Sequence, residues 1–367
     1  MSKKRILFSM PTKHHIEIAL DEMTALQDLG YVCDSFHYAA KNGYDSSFGR
    51  LWIIIQNALN LVKIAYRVKP DIIYFNSRLE VLAGIRDFIT ILIFKAFYWG
   101  IVRFLIKSHG SDIDILQTRK FFMGEIVLPF LKRNIAGWLF LSTEEKQKVI
   151  AAQYLPANRI FVTKNIVRTQ QFTEDLDFRA NLSIPAEDKI LLFVGRIIRE
   201  KGIFEVIDAF SMIQKQHNVT LIIVGDGLAL NECKEKIKAL NIGQKVKLTN
   251  FIPEQEVVKY YANSDVLVFP TYFPEGFPMA LFNSVAAGLC VITTPTRAAT
   301  DFLKEPENCM WVQAQNSGSI VEALQKLLKS EQLMSSIKKN NVAKAIIFGK
   351  VQVGKELAQT IENISKL

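Results

Sequence analysis

The stretch VLVFPTYFPEGFPMALFNSVAAGLCVITTP, Val266 to Pro295, constrains the fold of this chain more than any other. Val266–Phe269 and Val291–Thr294 are short apolar runs suited to buried strands. Between them, Thr271–Pro278 carries two prolines and a glycine and reads as a loop. Met279–Ala287 follows as a helix of small and apolar residues that stops at Gly288. Strand, loop, helix and strand make one βαβ unit of a parallel sheet. In such a sheet ligands gather at the carboxyl ends of the strands, where helix N-termini point. Glu275 lies in that loop, just ahead of a helix whose free N–H groups can hold a phosphate. A carboxylate beside an anion site is repelled by the anion unless something polar and uncharged lies between. A sugar attached to a diphosphate meets that condition.

A chain of 367 residues suits two domains of ordinary size, and 49% hydrophobic residues allow each its own core. Cys33, Cys233, Cys290 and Cys309 are scattered without ligand spacing, which reads as free thiols in a reducing cytosol. The start, Ser2-Lys3-Lys4-Arg5 running into the strand Ile6–Phe8, lacks the apolar core and cleavage site of a signal peptide. A cytoplasmic protein is expected. The net charge of +9 is uneven. Residues 1–165 hold 22 Lys and Arg against 14 Asp and Glu, and residues 166–367 hold 23 against 22. One basic domain facing an anionic partner follows from that split. Nucleic acid is not that partner, for want of any binding motif or basic-aromatic stripe.

In chain order, Arg5–Ser9 is a strand, a helix runs from about Ile16 to Leu29, and Val32–Phe36 is the next strand. Lys13, His14 and His15, in the first loop, are open to two readings, contact with a phosphate or acceptor and a solvated loop. Leu51–Arg67 is strongly apolar, and Asp71–Phe75 is a strand. Ile85–Ile106 is the greasiest stretch of the chain, long enough for a membrane span, but Arg86, Asp87, Lys95 and Arg103 argue against one. Gly100 divides it into a helix ending near Trp99 and a strand, Ile101–Lys107. An aromatic helix flanked by Lys and Arg suits lying on an anionic bilayer, so peripheral contact through residues 1–165 is expected, at the inner face of the plasma membrane. Ser142 and Glu145 form a capping box at the start of a helix. The polar tract Thr169–Asp188 reads as a linker. Beyond it, Lys189–Val194 is a strand, followed by Gly195-Arg196 and then Glu200-Lys201-Gly202 before a helix. Two cations and a helix dipole at a strand end make a diphosphate clamp of Arg196 and Lys201.

Three motifs carry a resemblance: Glu275-Gly276-Phe277-Pro278 with its helix ending Ala286-Ala287-Gly288, Gly195-Arg196 with Glu200-Lys201-Gly202, and the turn His109-Gly110-Ser111-Asp112. Together they resemble the retaining GT-B glycosyltransferases of family 4 (glycosyl transferases group 1) of the bacterial cell-surface polysaccharide type. The resemblance covers nearly the whole chain, with its specific motifs mostly in residues 190–300. It implies an α/β chain of two Rossmann-like, doubly wound parallel-sheet domains facing a cleft. Residues 1–168 would form the acceptor side, 169–188 the linker, 189–345 the nucleotide-sugar domain, and 346–367 a helix crossing back to the first domain.

The implied activity is transfer of a sugar from a nucleoside-diphosphate sugar to a saccharide or lipid-linked saccharide, with retention of configuration. No metal and no cofactor beyond the donor is implied. Glu275 would bond the donor sugar's hydroxyls, His109 would lie beside that sugar, and Arg196 and Lys201 would steady the leaving diphosphate. The backbone of Phe251 and Ile252 would meet the nucleobase. Gly276, Phe277, Pro278, Met279, Ala280 and Leu281 would present the helix N-terminus to the donor, and Asn283 would meet the ribose. The chain departs from the family pattern in three places. Asn283 stands where a second glutamate is usual, the first loop has no glycine, and Asn165 is followed by Ile166-Val167-Arg168 in place of Gly-Val-Asp. Two alternatives stay open, a GT-B-fold nucleotide-sugar epimerase and a degenerate glycosyltransferase that only binds a partner.

Overall fold

The computed structural model describes residues 4–11, 16–38 and 46–366. It divides into two compact units, residues 1–166 with 350–367 and residues 167–349. Each is built on a six-stranded, fully parallel sheet. Lys13, His14 and His15 lie outside the described residues.

The first unit alternates strands and helices: β1 (Arg5–Met10), α1 (Ile16–Asp28), β2 (Val32–His37), α2 (Ser47–Val68), β3 (Ile72–Leu79) and α3 (Val81–Phe97). Then come β4 (Arg103–Ser111), a π-turn at Phe122–Val127, α4 (Leu128–Asn134), β5 (Ile135–Phe140), α5 (Thr143–Ala151) and β6 (Ile160–Val162). The strand order β2-β1-β3-β4-β5-β6 reverses direction between β1 and β3. Right-handed crossovers therefore put α1 on one face of the sheet and α2, α3 and α5 on the other. The core splits the same way. Ile91, Phe94, Trp138 and Val149 share one cluster, and Met23, Leu26, Leu357 and Ile361 share the opposite one. The buried carboxylate of Glu22 on α1 is ion-paired with Lys107 on β4 and accepts a hydrogen bond from the Tyr74 hydroxyl. Ser142 Oγ accepts from the Glu145 N–H and caps α5, and the same hydroxyl donates to the Glu145 carboxylate at 3.0 Å.

The second unit opens with the short helix α6 (Phe178–Asn181) and continues through β7 (Lys189–Val194), α7 (Ile203–Ile213), β8 (Val219–Val224), α8 (Leu230–Ala239), β9 (Val246–Leu248) and α9 (Glu254–Ala262). It goes on with β10 (Val266–Phe269), α10 (Met279–Ala286), β11 (Cys290–Thr293), α11 (Arg297–Phe302), β12 (Met310–Trp311), α12 (Ser317–Leu328) and α13 (Glu331–Ala345). The order β12-β11-β10-β7-β8-β9 reverses between β10 and β7. The tract expected as a linker is packed into this unit. The Phe178 ring meets Tyr260 at 5.3 Å, Phe172 meets Tyr261 at 6.1 Å, and Asn263 caps the Asp175 N–H. The last helix, α14 (Lys350–Lys366), belongs to the first unit, where Leu357, Ile361 and Ile364 complete the α1 side of the core.

The greasy helix starts and ends earlier than its hydropathy suggests, at Val81 and Phe97, and β4 begins only at Arg103. Residues 98–102 are a connection, with Trp99 and Ile101 in solvent. One face of α3 is core: Ile91 and Phe94 are buried, and Ile85 and Phe88 pack against them. Among the described residues no helix is long and apolar enough to cross a membrane.

Candidate active site

In a doubly wound sheet, the loops after the two strands that flank the order reversal splay apart and leave a crevice. In the second unit those strands are β7 and β10, and the loops after them carry Arg196–Gly202 and Pro270–Pro278. Backbone bonds join the two loops: the N–H groups of Tyr272 and Phe273 donate to the Glu200 carbonyl at 2.9 and 3.0 Å. The Thr271 hydroxyl donates to the same carbonyl at 3.2 Å. Gly202 makes this approach possible. It sits at φ +75°, and a Cβ there would lie 2.5 Å from the Pro270 carbonyl oxygen.

The joined loops put Lys201 against Glu275. The side chains are 8% and 16% exposed, and the ammonium and carboxylate form an ion pair. Phe269 and Phe273 face the same ammonium, with ring centroids 5.4 and 5.1 Å away. The Arg196 guanidinium, exposed, lies over the Phe273 ring at 4.9 Å. Burial, reinforced by the charge of Arg196, pulls the Lys201 ammonium down to about 7. A further anion beside it, in addition to Glu275, pushes it back up.

Beyond Glu275 the chain enters α10. Leu281 and Phe282 N–H groups bond the Pro278 carbonyl, and helix geometry leaves the first N–H groups pointing out of the end. Phe277 and Leu281 turn their side chains into the core, Phe277 stacking on Phe282 at 3.8 Å and meeting Phe302 and Phe348. Gly276 and Pro278 are buried, and Met279 and Ala280 are half-buried. Asn283, one turn further, is 7% exposed beside the buried Tyr261 hydroxyl, whose pKa burial pushes well up and the Asn283 amide draws partly back down. Phe251, 70% exposed, and half-buried Ile252 follow β9, two strands from β7. That loop is tied to its neighbour where Gly225 donates to the Asn250 carbonyl at 3.0 Å.

His109 belongs to the first unit, near the carboxyl end of β4. There Asn76 crosses the β1/β3 reversal, its Nδ2 donating to the Ser9 carbonyl at 3.0 Å and its N–H to Ser9 Oγ at 2.7 Å. The amide is thereby oriented with Oδ1 toward His109 Nε2, 2.8 Å away, so the imidazole donates from Nε2. The structure thus gathers Arg196, Lys201, Glu275 and the start of α10 in the second unit and places His109 in the first. Sequence reasoning missed Phe273, Tyr261, Asn76 and Ser9. The polar run Asn76-Ser77-Arg78 closing an apolar strand was a signal for one of them. Among the described residues no group of three His, Cys, Asp or Glu side chains is arranged to hold a metal ion.

Residues 174–344 match the family described as glycosyl transferases group 1. The chain is 28% identical over 295 residues to the capsular polysaccharide biosynthesis glycosyltransferase CapM of Staphylococcus aureus, covering 78% of this chain and 74% of that protein. It is 28% identical over 184 residues to a Campylobacter jejuni N-acetylgalactosaminyltransferase whose name gives a diphospho-undecaprenol-linked acceptor, covering 50% and 49%. The chain spans about half the length of two of the curated relatives it matches, 54% and 49%. Among solved structures, that of Anabaena HepE in complex with UDP and glucose superposes with a TM-score of 0.75 at 18% identity, covering 98% and 99% of the two chains. Residues 174–344 are thus similar to the glycosyl transferases of group 1, and the chain has the GT-B fold.

Proposed function

We propose that this protein is a retaining glycosyltransferase of family 4 that moves a sugar from a nucleoside-diphosphate sugar to a saccharide or lipid-linked saccharide, in the cytoplasm, for a cell-surface polysaccharide. The observation that carries the reading is the meeting of Lys201, Arg196 and Glu275 at the strand reversal of the second sheet. As the glycosidic bond breaks, the diphosphate leaves with an extra negative charge. Lys201 and Arg196 lie where two cations stabilise that charge more in the transition state than in the ground state. The N–H groups at the start of α10 add the positive end of the helix dipole. Glu275, an acceptor-only group, takes hydrogen bonds from the sugar hydroxyls and fixes the sugar's position. The exposed ring of Phe251 offers a face to the nucleobase. His109, oriented by Asn76, is assigned to the transferred sugar.

The leaving-group charge is assigned here to side-chain cations, so a chelator should leave the rate unchanged. A lipid-linked acceptor draws support from the name of the Campylobacter relative, and a uridine nucleotide from the HepE complex. One observation favours a binding-only protein: Asn283 where a glutamate is usual, held by Tyr261. An assay of free nucleotide released from a panel of nucleotide sugars, with and without candidate acceptors, separates the readings. Release that needs an acceptor supports transfer. Interconversion of sugars without release points to an epimerase, and binding without turnover to a degenerate protein.

A further inference from the structure

The helices α2 and α3 and the π-turn before α4 cover one face of the first sheet, packed against each other over a shared core. Their outer surface is unlike that of a soluble domain. On α2, Phe48, Trp52, Leu59 and Tyr66 are all exposed and recur along one line of the helix, opposite its buried face. That line is about 27 Å long at 1.5 Å per residue. At its end the Tyr66 hydroxyl donates to the Phe97 carbonyl at 2.8 Å, and its ring meets Tyr98 at 4.9 Å. This contact brings the α2 line to the end of α3, where Phe97 is exposed and Trp99 and Ile101 are 89% and 92% exposed. Phe121 and Phe122 project from the π-turn beside α3. Exposed apolar residues scattered singly need no explanation, but aromatic residues gathered on three adjoining elements do.

The charges on the same elements decide what covers them. Residues 47–69, 81–103 and 118–134 carry four, three and four Lys or Arg against none, one and one Asp or Glu. The acid in the second set, Asp87, is buried and paired with Arg86. Arg50, Lys63, Arg67, Lys95, Arg119 and Lys120 are exposed on the same elements. A surface that is apolar and almost purely cationic fits an anionic bilayer, where tryptophan and tyrosine sit at the headgroup level and long basic stems reach the phosphates. A protein partner would have to supply acidic groups opposite these exposed cations, and a second copy of this face would repel the first. We propose that this face docks on the anionic surface of a membrane, with Trp99 and Ile101 as its most deeply inserted residues. This goes beyond the enzymatic reading and does not depend on it.

Flotation of the full chain with phosphatidylcholine vesicles, alone or with about a third phosphatidylglycerol, tests the proposal. Binding should need the anionic lipid and weaken as salt rises. Trp99→Ser with Ile101→Ser should lower partitioning about tenfold or more without changing the melting temperature, since both side chains are in water. Leu228→Ser, at a fully exposed site on the second unit, should float like the parent. Equal binding to neutral vesicles, or none to anionic ones, overturns the proposal. So does a lipid-free dimer that the paired substitution turns into a monomer, which would assign the face to a second copy.

Discussion

The Lys201 ammonium is ion-paired with the Glu275 carboxylate across the strand reversal of the second sheet, each from the loop after one flanking strand. In the proposed reaction, a carboxylate for the sugar and a cation for the diphosphate begin as partners. The pair makes Glu275 more than a loop acid. Glu275→Gln should stop turnover, since an amide cannot accept from two hydroxyls at once with charge assistance. The same change leaves Lys201 buried without a counter-charge, which costs about 3–5 kcal/mol where the ion cannot neutralise. Lys201 can lose its proton, so the stability loss should stay below about 3 kcal/mol. The sign follows from linkage. A lysine whose folded pKa is depressed is most destabilising below that pKa, and its penalty shrinks as pH rises toward the unfolded value. Thermal melts of Glu275→Gln should therefore fall further below wild type at pH 6 than at pH 9. Undiminished turnover in the folded variant would remove Glu275 from the site.

Arg196→Ala and Lys201→Ala should each slow turnover about 10²-fold, the scale for losing one charge partner of a transition state. The double variant should lose less than the product, because both cations act on one diphosphate. Steady-state kinetics on the three variants would show it. Wild-type rates in both single variants contradict the clamp.

Nucleotide binding should take up a proton. With Lys201 drawn down to about 7 by burial, a diphosphate beside it raises the pKa, so above pH 7 the complex holds more proton than its parts. Affinity for a nucleoside diphosphate should weaken as pH rises from 7 toward 10, by at most about tenfold per unit. Below 7 the lysine is already charged and contributes no slope. Calorimetry in buffers of different ionisation enthalpy would count the proton, and Lys201→Met should abolish the uptake. A pH-independent affinity in the parent would rule out this role for Lys201.

How much of this was legible in the sequence depended on whether the cause was local. The apolar runs at Val266 and Cys290 bracket a loop of prolines, and Gly202 marks the turn that only a glycine fits against Pro270. Those are near-neighbour effects, and the strands and helix emerged within one or two residues. The pairing of Glu275 with Lys201 was not legible, because Lys201 lies 74 positions earlier in the chain and is adjacent only through β7–β10 pairing. The tract 169–188 passed for a linker because Phe172 and Phe178 are isolated aromatics among polar residues, with partners at Tyr261 and Tyr260. The greasy helix showed its aromatic, basic composition but not which of its residues face outward, since a helix so widely apolar has little period to read.

Asn283 carries the last prediction. The family pattern has a glutamate at this position, and the asparagine here is buried against the Tyr261 hydroxyl. An asparagine offers one acceptor and one donor group, so engaging Tyr261 leaves it less to give a ribose than a carboxylate has. A glutamate at the same site is one methylene longer and has two oxygens. One can accept from the Tyr261 hydroxyl, which burial keeps protonated, while the other accepts from a ribose hydroxyl with the added strength of a charged bond. Asn283→Glu should therefore fold and lower the donor KM several-fold, roughly 1 kcal/mol of added binding, with kcat little changed. Tyr261→Phe in that background should return part of the gain, because the carboxylate then loses the hydroxyl that steadies it. If Asn283→Glu eliminates donor binding in a protein that still melts cooperatively, α10 does not face the ribose, and the donor must lie differently on the second sheet.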